Sequence, residues 1–477
     1  MDYLPVIGWT AAKIGLVMIV ILTFAPLLIW AERRQSAMIQ DRIGPRRAGI
    51  PSIFMKRISI GAIFLTFVVW VLVASMWYVR SLPDVSSGAF VPPDNILISG
   101  AKEVIWWLLV AGAVGTPLIA LATGGLAFVY KEKPVTLVGL LHPLADALKF
   151  IFKEDFVPAK ADRLLFQLAP IITLVPAVLA FAVIPFSDTL YLDVALETLP
   201  YGGVPTPDMM QSAIPMQVAS LDIGILFIFA VAGTGVVGAA IGGYASDNKF
   251  SLMGGIRAAG QMVSYEVALG LTLVPVFMYY GTLRLDVMVN QQANETFLGI
   301  LPAWSIFHPI MWLPFILYVT ASIAETKRIP FDLPEGESEL VGGYFTEYSG
   351  MKFGMFFFAE FIEVIALAAL AAAIFFGGWD TPFIEQSGIV LPGEWEYEIG
   401  GFMLTHRLDL PHVVVVLIQL ACFIVKIAIL IFMQLQIRWT LPRFRYDQIM
   451  ALCWKVLLPL ALLNVFLTGA FILWNPF

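Results

Sequence analysis

Six carboxylates and two basic side chains share one short stretch, AETKRIPFDLPEGESELVGGYFTEY, in a chain where only 13% of residues are charged. The acids are Glu325, Asp332, Glu335, Glu337, Glu339 and Glu347, and Glu337 stands two residues from an acid on either side. Other ionisable groups sit inside strongly apolar segments. QMVSYEVALG carries Glu266, expected in the first turn of a helix, and FFFAEFIEVIAL puts Glu360 and Glu363 three apart on one helical face. CFIVKIAIL carries Lys426 in mid-segment. A charge at the bilayer centre costs about 2.5–3.5 kcal/mol on the insertion scale, so such residues face a cavity or a partner and mark ion or substrate pathways. Blander readings stand beside this one. Glu266 could be a carboxylate favoured by its helix N-terminus, Glu363 a boundary or locally paired acid, and Lys426 a structural counter-charge to one of the acids. The loop itself could be a solvated acidic surface or a dock for a basic partner.

The elements that position these groups follow from composition. At 59% hydrophobic and 13% aromatic, the chain lies far from a water-soluble domain, in which roughly 25% of residues are charged. Apolar stretches long enough for a hydrocarbon layer of about 30 Å recur at roughly 12–31, 59–79, 104–129, 164–186, 221–244, 262–281, 309–324, 353–377, 412–437 and 456–475. Barrel-type alternation is missing, so the spans are read as helices that satisfy their own backbone. The expected fold is all-α: a polytopic membrane protein with about ten transmembrane helices. The segments 187–216 and 379–411 read as long loops between spans.

Basic residues orient the chain. The loops at 31–58, 131–163, 246–261, 325–352 and 438–455 hold 22 of the 28 Lys and Arg, against four in the intervening loops. By the positive-inside rule the first set is cytoplasmic and both termini face outside. The first apolar segment lacks a basic n-region and a small-residue cleavage site, so a retained helix is expected. The net charge of −7 gives no sign of nucleic-acid binding. Cys422 and Cys453 are isolated, whereas an iron–sulfur cluster needs about four thiolates. His142, His308, His406 and His412 form no metal-ligand pair. GTGVVG, Gly233 to Gly238, matches a dinucleotide fingerprint but lies within a span and lacks a preceding strand, so it reads as close helix packing. No redox or metal centre is expected in this chain.

Five ordered blocks carry a resemblance: ERRQSAMIQDRIGP, LLHPLADALKF, GGIRAAGQMVSYEV, ETKRIPFDLPEGESELVGGYFTEYSGMKF and LPRFRYDQIMALCWKVLLPLAL. Together they resemble the H-type membrane subunits of NADH–quinone oxidoreductase, the subunit 1 family of respiratory complex I, over about 12–49, 139–186, 217–378 and 412–474. The resemblance implies a membrane subunit at the heel of an L-shaped complex, forming much of the quinone chamber. It implies a proton path through Glu266, Glu325, Asp332, Glu335, Glu337, Glu339, Glu347, Glu360 and Lys426. Crowded carboxylates share protons, so such a group can take up or pass one when a nearby charge changes. Glu325 and Arg328, in one motif turn, could pair. Quinone-chamber positions are Arg33, Arg42, Asp146, Arg443, Arg445 and Asp447. Positive-inside anchoring is the bland alternative for Arg33 and Arg42.

Other implications follow the same resemblance. Quinone is a substrate, and no catalytic redox group belongs to this chain. FMN and iron–sulfur clusters belong to partner subunits, the hydrophilic quinone module and the membrane arm among the partners. Membrane lipid surrounds the chain, in a bacterial inner membrane. The family core has eight spans, so 1–49 reads as the first core helix with a chamber segment, 50–138 as an insertion with two extra spans, and 139–477 as the remaining core. Arg46–Arg47 and His142 depart from the family pattern. Two rival readings are a membrane anchor of an energy-converting hydrogenase or related dehydrogenase, and a stand-alone ion transporter, for which no internal repeat is found.

Overall fold

The structure is a computed structural model, described for residues 3–45, 139–191, 213–294, 296–297, 301–334, 336–386, 388–390, 396–399, 402–405 and 407–474. The inserted segments expected at 59–79 and 104–129 lie outside the described residues. The chain divides into two units, 1–32 with 146–477 and 33–145.

Helices dominate the described residues. The long ones are α1 (Tyr3–Ile39), α3 (Arg163–Leu179), α4 (Gly224–Ala245), α5 (Lys249–Tyr280), α9 (Gly350–Phe375), α10 (His412–Thr440) and the last pair, α11 (Tyr446–Leu452) and α12 (Leu458–Trp474). A π-helical turn at Cys453–Leu457 joins that pair into one continuous rod. Shorter helices are α2 (His142–Phe152), α6 (Leu285–Asn294), α7 (Trp312–Glu325) and α8 (Glu337–Leu340). Seven helical segments among the described residues are long and apolar enough to cross a membrane, and Pro309–Glu325 is a shorter apolar one. These match the eight spans expected outside the insertion, and the chain is an all-α polytopic membrane protein. Two-, three- and four-residue strands form small antiparallel ribbons in the connections, as where Leu190–Tyr191 pairs with Ala213–Ile214.

One boundary differs from the sequence expectation. The span expected from 262 begins at Lys249, because Asn248 caps it by accepting the Phe250 N–H at 2.9 Å. The segment GGIRAAGQM has low hydropathy but no proline, so the helix runs through it to Gly281, whose φ of +64° suits a glycine terminator. Glu266 is therefore mid-helix, and stabilisation by a helix N-terminus does not apply to it.

Close packing centres on α9, the most buried of the spans. Small residues let its neighbours approach one another. A Cβ at Gly238 of α4 would stand 2.3 Å from Thr173 Oγ1 on α3, and one at Gly243 would stand 2.5 Å from the Ser251 carbonyl oxygen on α5. That is the role of GTGVVG and its continuation: helix contact through missing side chains. Aliphatic and aromatic side chains such as Ile19, Ile256, Ile429 and Phe466 point outward, as lipid-facing positions require.

Candidate functional site

α7 ends at Glu325, and the chain reverses at Lys327, whose φ of +54° is left-handed for a side chain other than glycine. That conformation turns Lys327 inward. Its side chain is completely buried, and its Nζ lies 3.9 Å from Glu360 Oε1 and 3.8 Å from Glu363 Oε2 on α9. The i, i+3 spacing of the two acids presents them to one ammonium, as the shared helical face predicts. Tyr344, also buried, donates its hydroxyl to Glu360 Oε1 at 2.9 Å. Glu325 is buried next to them, its Oε2 without a hydrogen-bond partner among the described residues. It interacts electrostatically with Glu266, Glu363 and Lys327. The Glu266 carboxylate lies against Gly233 of α4, where a Cβ would stand 3.0 Å from its Oε1. α7, α9 and the turn after α7 thus bring buried Glu325, Glu360 and Lys327 together with partly exposed Glu363, and half-buried Glu266 of α5 interacts with this group through Glu325.

Arg328 turns the other way and does not pair with Glu325. Its Nη1 lies 3.4 Å from Glu32 Oε2 on α1, and its guanidinium stacks 4.0 Å from the Phe361 ring. The intervening left-handed residue separates the side chains of Glu325 and Arg328, which sequence proximity could not show. Glu32 also contacts Arg438 of α10. Between these charges and Leu28, Phe361 and Ile431 lies a cavity of about 20 Å³, room for about one water.

The acidic loop divides into an inner and an outer part. Gln261 of α5 pins its inner part by donating to the carbonyls of Ala324 at 2.7 Å and Phe331 at 2.8 Å. Asp332 is buried there and pairs with Arg443 at 2.8 Å, so one expected proton-path acid meets one expected chamber base. Phe444 N–H donates to Pro330 O at 3.1 Å and holds the two segments together. The outer acids are tied to α5: Glu339 pairs with Arg257 at 2.8 Å, and Glu347 accepts from Asn248 Nδ2 at 2.6 Å. Glu335 and the side chain of Glu337 lie outside the described residues.

The remaining expected residues occupy other places. Lys426 does not meet the acids of α9. Its Nζ donates to the carbonyls of Phe376, Gly378 and Asp380 at 2.7, 2.9 and 2.6 Å and lies 4.0 Å from the Trp304 ring. That is past the C-terminal end of α9, about 20 Å along the helix from Glu363 at 1.5 Å per residue. Free carbonyls at a helix C-terminus attract a cation, and this draws Lys426 there as a cap. Trp304 Nε1 donates to Asp380 Oδ2 at 2.8 Å, and burial pushes the Asp380 carboxyl above its ordinary range despite that bond and Lys426. Arg33 and Arg42, with Ser36, Gln40 and Gly44, line a groove of about 490 Å³ in the 33–145 unit. Asp146 pairs with exposed Lys149 at 3.4 Å. Arg445 precedes α11, its N–H donating to Gln448 Oε1 at 3.0 Å, and Asp447 is exposed in the first turn. Cys453 Sγ donates to the Ser264 carbonyl at 3.2 Å. Among the described residues, groups of three or more His, Cys, Asp or Glu placed for a metal ion are absent.

Sequence reasoning passed over Glu32, Lys327, Tyr344 and Arg438 as site residues. Glu32 and Arg438 did carry a signal, since each is a charge directly abutting a long apolar run. Lys327 and Tyr344 carried one only jointly with the backbone turn that aims them.

Comparison with known proteins places this geometry. The family model described as NADH dehydrogenase matches residues 133–469. An H-type subunit of NADH–quinone oxidoreductase from Cytophaga hutchinsonii is 42% identical over 335 residues, covering 70% of this chain and 84% of that protein. The H-type subunit from Thermomicrobium roseum is 43% identical over 339 residues, 71% of this chain and 84% of its own. One from Geobacter sulfurreducens is 40% identical over 378 residues, 79% and 96% of the two chains.

Proposed function

The chain belongs to the NADH dehydrogenase family as an H-type subunit of NADH–quinone oxidoreductase, a membrane subunit of complex I, and we propose that its buried carboxylates link quinone reduction to a membrane proton path. The observation that carries this reading is the group of Glu360, Glu363 and Glu325 around the ammonium of Lys327, with Glu266 interacting through Glu325. Acids gathered around one ammonium and largely withdrawn from water cannot all be ionised independently. Their proton occupancy is shared and responds to any charge that changes nearby. The loop acids Asp332, Glu335, Glu337, Glu339 and Glu347 form the entrance to this group, and the Asp332–Arg443 pair connects it to the quinone side.

Arg33, Arg42, Asp146, Arg443, Arg445 and Asp447 supply polar positions around the quinone chamber, where a quinone head needs a few hydrogen-bonding groups at the end of an apolar channel. Electrons reach the quinone from FMN and iron–sulfur clusters of partner subunits in the hydrophilic arm. Residues 1–49 and 139–477 form the core, and 50–138 an insertion carrying two further spans. The base-rich loops face the cytoplasm of a bacterial cell and both termini face the outside of its inner membrane. The names of the relatives favour the quinone enzyme over a hydrogenase anchor or a lone transporter.

The test is Glu360→Gln in the assembled complex. Glutamine keeps an acceptor for Tyr344 but removes titration. Quinone-coupled turnover and proton pumping should fall at least tenfold, about 1.4 kcal/mol in the limiting barrier. An assembled variant with wild-type turnover and pumping would remove Glu360 from the path.

A further inference from the structure

Lys327 is the buried cation of the acidic loop, and its position between two carboxylates has a chemical consequence. Its Nζ is almost equidistant from Glu360 Oε1 and Glu363 Oε2, at 3.9 and 3.8 Å, beyond hydrogen-bonding range of either. Small rotations of one flexible stem would bring it into contact with one acid or the other. The left-handed backbone at Lys327 fixes the root of that stem, and the Tyr344 ring lies 5.9 Å from its Nζ. Among the described residues, the charged and titratable groups facing it include Glu360 and Glu363 from α9, Glu325 from α7, Glu266 from α5 by way of Glu325, Arg328 beside Glu363, and Tyr344 bonded to Glu360.

We propose that Lys327 is a positioning residue for proton transfer, a movable counter-charge shared by Glu360 and Glu363, and that Glu363 is thereby a member of the proton path. With one proton on the pair, the ammonium contacts whichever carboxylate is ionised. When the proton passes from Glu360 to Glu363, one O–H bond breaks, another forms, and the ammonium moves to Glu360. The net charge of the three groups is the same before and after, so no uncompensated charge is created in the membrane. Tyr344 favours the state in which Glu360 is ionised, because its hydroxyl donates to that carboxylate. The inference rests on the proton-path reading above, but it assigns roles to two residues that reading does not require.

The experiment compares Lys327→Met, Glu363→Gln and the double variant in the whole complex reconstituted into vesicles, with Glu360→Gln alongside. Glutamine at 363 mimics the protonated acid, so it compensates for loss of the ammonium. Lys327→Met and Glu363→Gln should each lower coupled turnover at least tenfold, and the double variant should recover the melting temperature that Lys327→Met loses, to the level of Glu363→Gln alone. A purely packing role for Lys327 predicts no such rescue. Wild-type activity of Lys327→Met or of Glu363→Gln, or a double variant that melts no higher than Lys327→Met, overturns the proposal while Glu360→Gln still reports on the path itself. If Lys327→Met does not assemble, assembly becomes the readout: recovery in the double variant supports charge compensation, and failure of both overturns it. Wild-type pumping by Glu360→Gln sinks the proton-path reading and this inference with it.

Discussion

Glu32→Gln tests how far the charges at the inner ends of α1 and α10 hold those helices together. Glu32 contacts both Arg328, at 3.4 Å, and Arg438, and its side chain is 13% exposed. At an effective dielectric of about 20, a unit pair 3.4 Å apart attracts by roughly 5 kcal/mol before desolvation is subtracted. Removing one partner of a buried pair costs about 3–5 kcal/mol, because the other charge stays buried. The guanidiniums are 17% and 21% exposed, which argues for the low end, about 3 kcal/mol. Arg328 keeps its stack on Phe361 in the variant, so the helices should loosen without the loop leaving its place. In a chain of this size about 3 kcal/mol lowers the melting temperature by roughly 3 °C. Glu32→Gln combined with Arg438→Gln leaves one cation fewer unpaired and should recover more than half of that loss. A single variant within about 1 °C of wild type, or a double variant whose losses simply add, would show that these ion pairs carry no net stability.

Three other outcomes are expected. Glu337→Gln should assemble normally and lose most quinone-reductase turnover with its pumping, about tenfold or 1.4 kcal/mol, read in vesicles with a pH-sensitive dye; loss of assembly would assign the loop a structural role instead. Gly238→Ala would put a methyl 2.3 Å from Thr173 Oγ1 and 2.8 Å from the Thr173 backbone nitrogen, so α3 and α4 should separate at a cost of about 1–3 kcal/mol or more, measured as reduced yield and melting temperature. Asp380 is raised by burial, so the folded state holds its proton more tightly than the unfolded state, and that stability is present at low pH and lost as pH rises through the folded value. Asp380→Asn should flatten the part of the melting-temperature profile that lies above about pH 4, and an unchanged profile would count against burial as the cause.

Much of the fold was legible because membrane spans are encoded by run length alone. The eight spans outside the insertion could be located from apolar stretches, and the shared face of Glu360 and Glu363 from their spacing. The start of α5 could not, since GGIRAAGQM is too polar to register as a span yet contains nothing that breaks a helix. That displaced Glu266 from mid-helix to a helix start. The Glu325–Arg328 pairing failed for a backbone reason: the left-handed Lys327 sends successive side chains to different neighbours. Lys426 showed a third kind of limit. Its partners are main-chain carbonyls, and any residue type carries one.

These cases bear on how α9 serves its two ends. Its middle is acidic and meets Lys327, while its C-terminal carbonyls are closed by Lys426. Both contacts neutralise negative charge with a buried lysine, but only the first offers alternative acceptors that titrate. Carbonyl oxygens do not exchange protons at ordinary pH, so Lys426 has no partner whose charge can change, apart from nearby Asp380, among the described residues. A buried lysine among carboxylates can follow a moving proton; one bonded to carbonyls first of all holds a helix end in place. On this reasoning the proposed coupling concentrates where α9 faces α5, α7 and the acidic loop. Lys426 fixes the end of the helix that carries Glu360 and Glu363, and its ammonium beside Asp380 keeps its place in the proposed path.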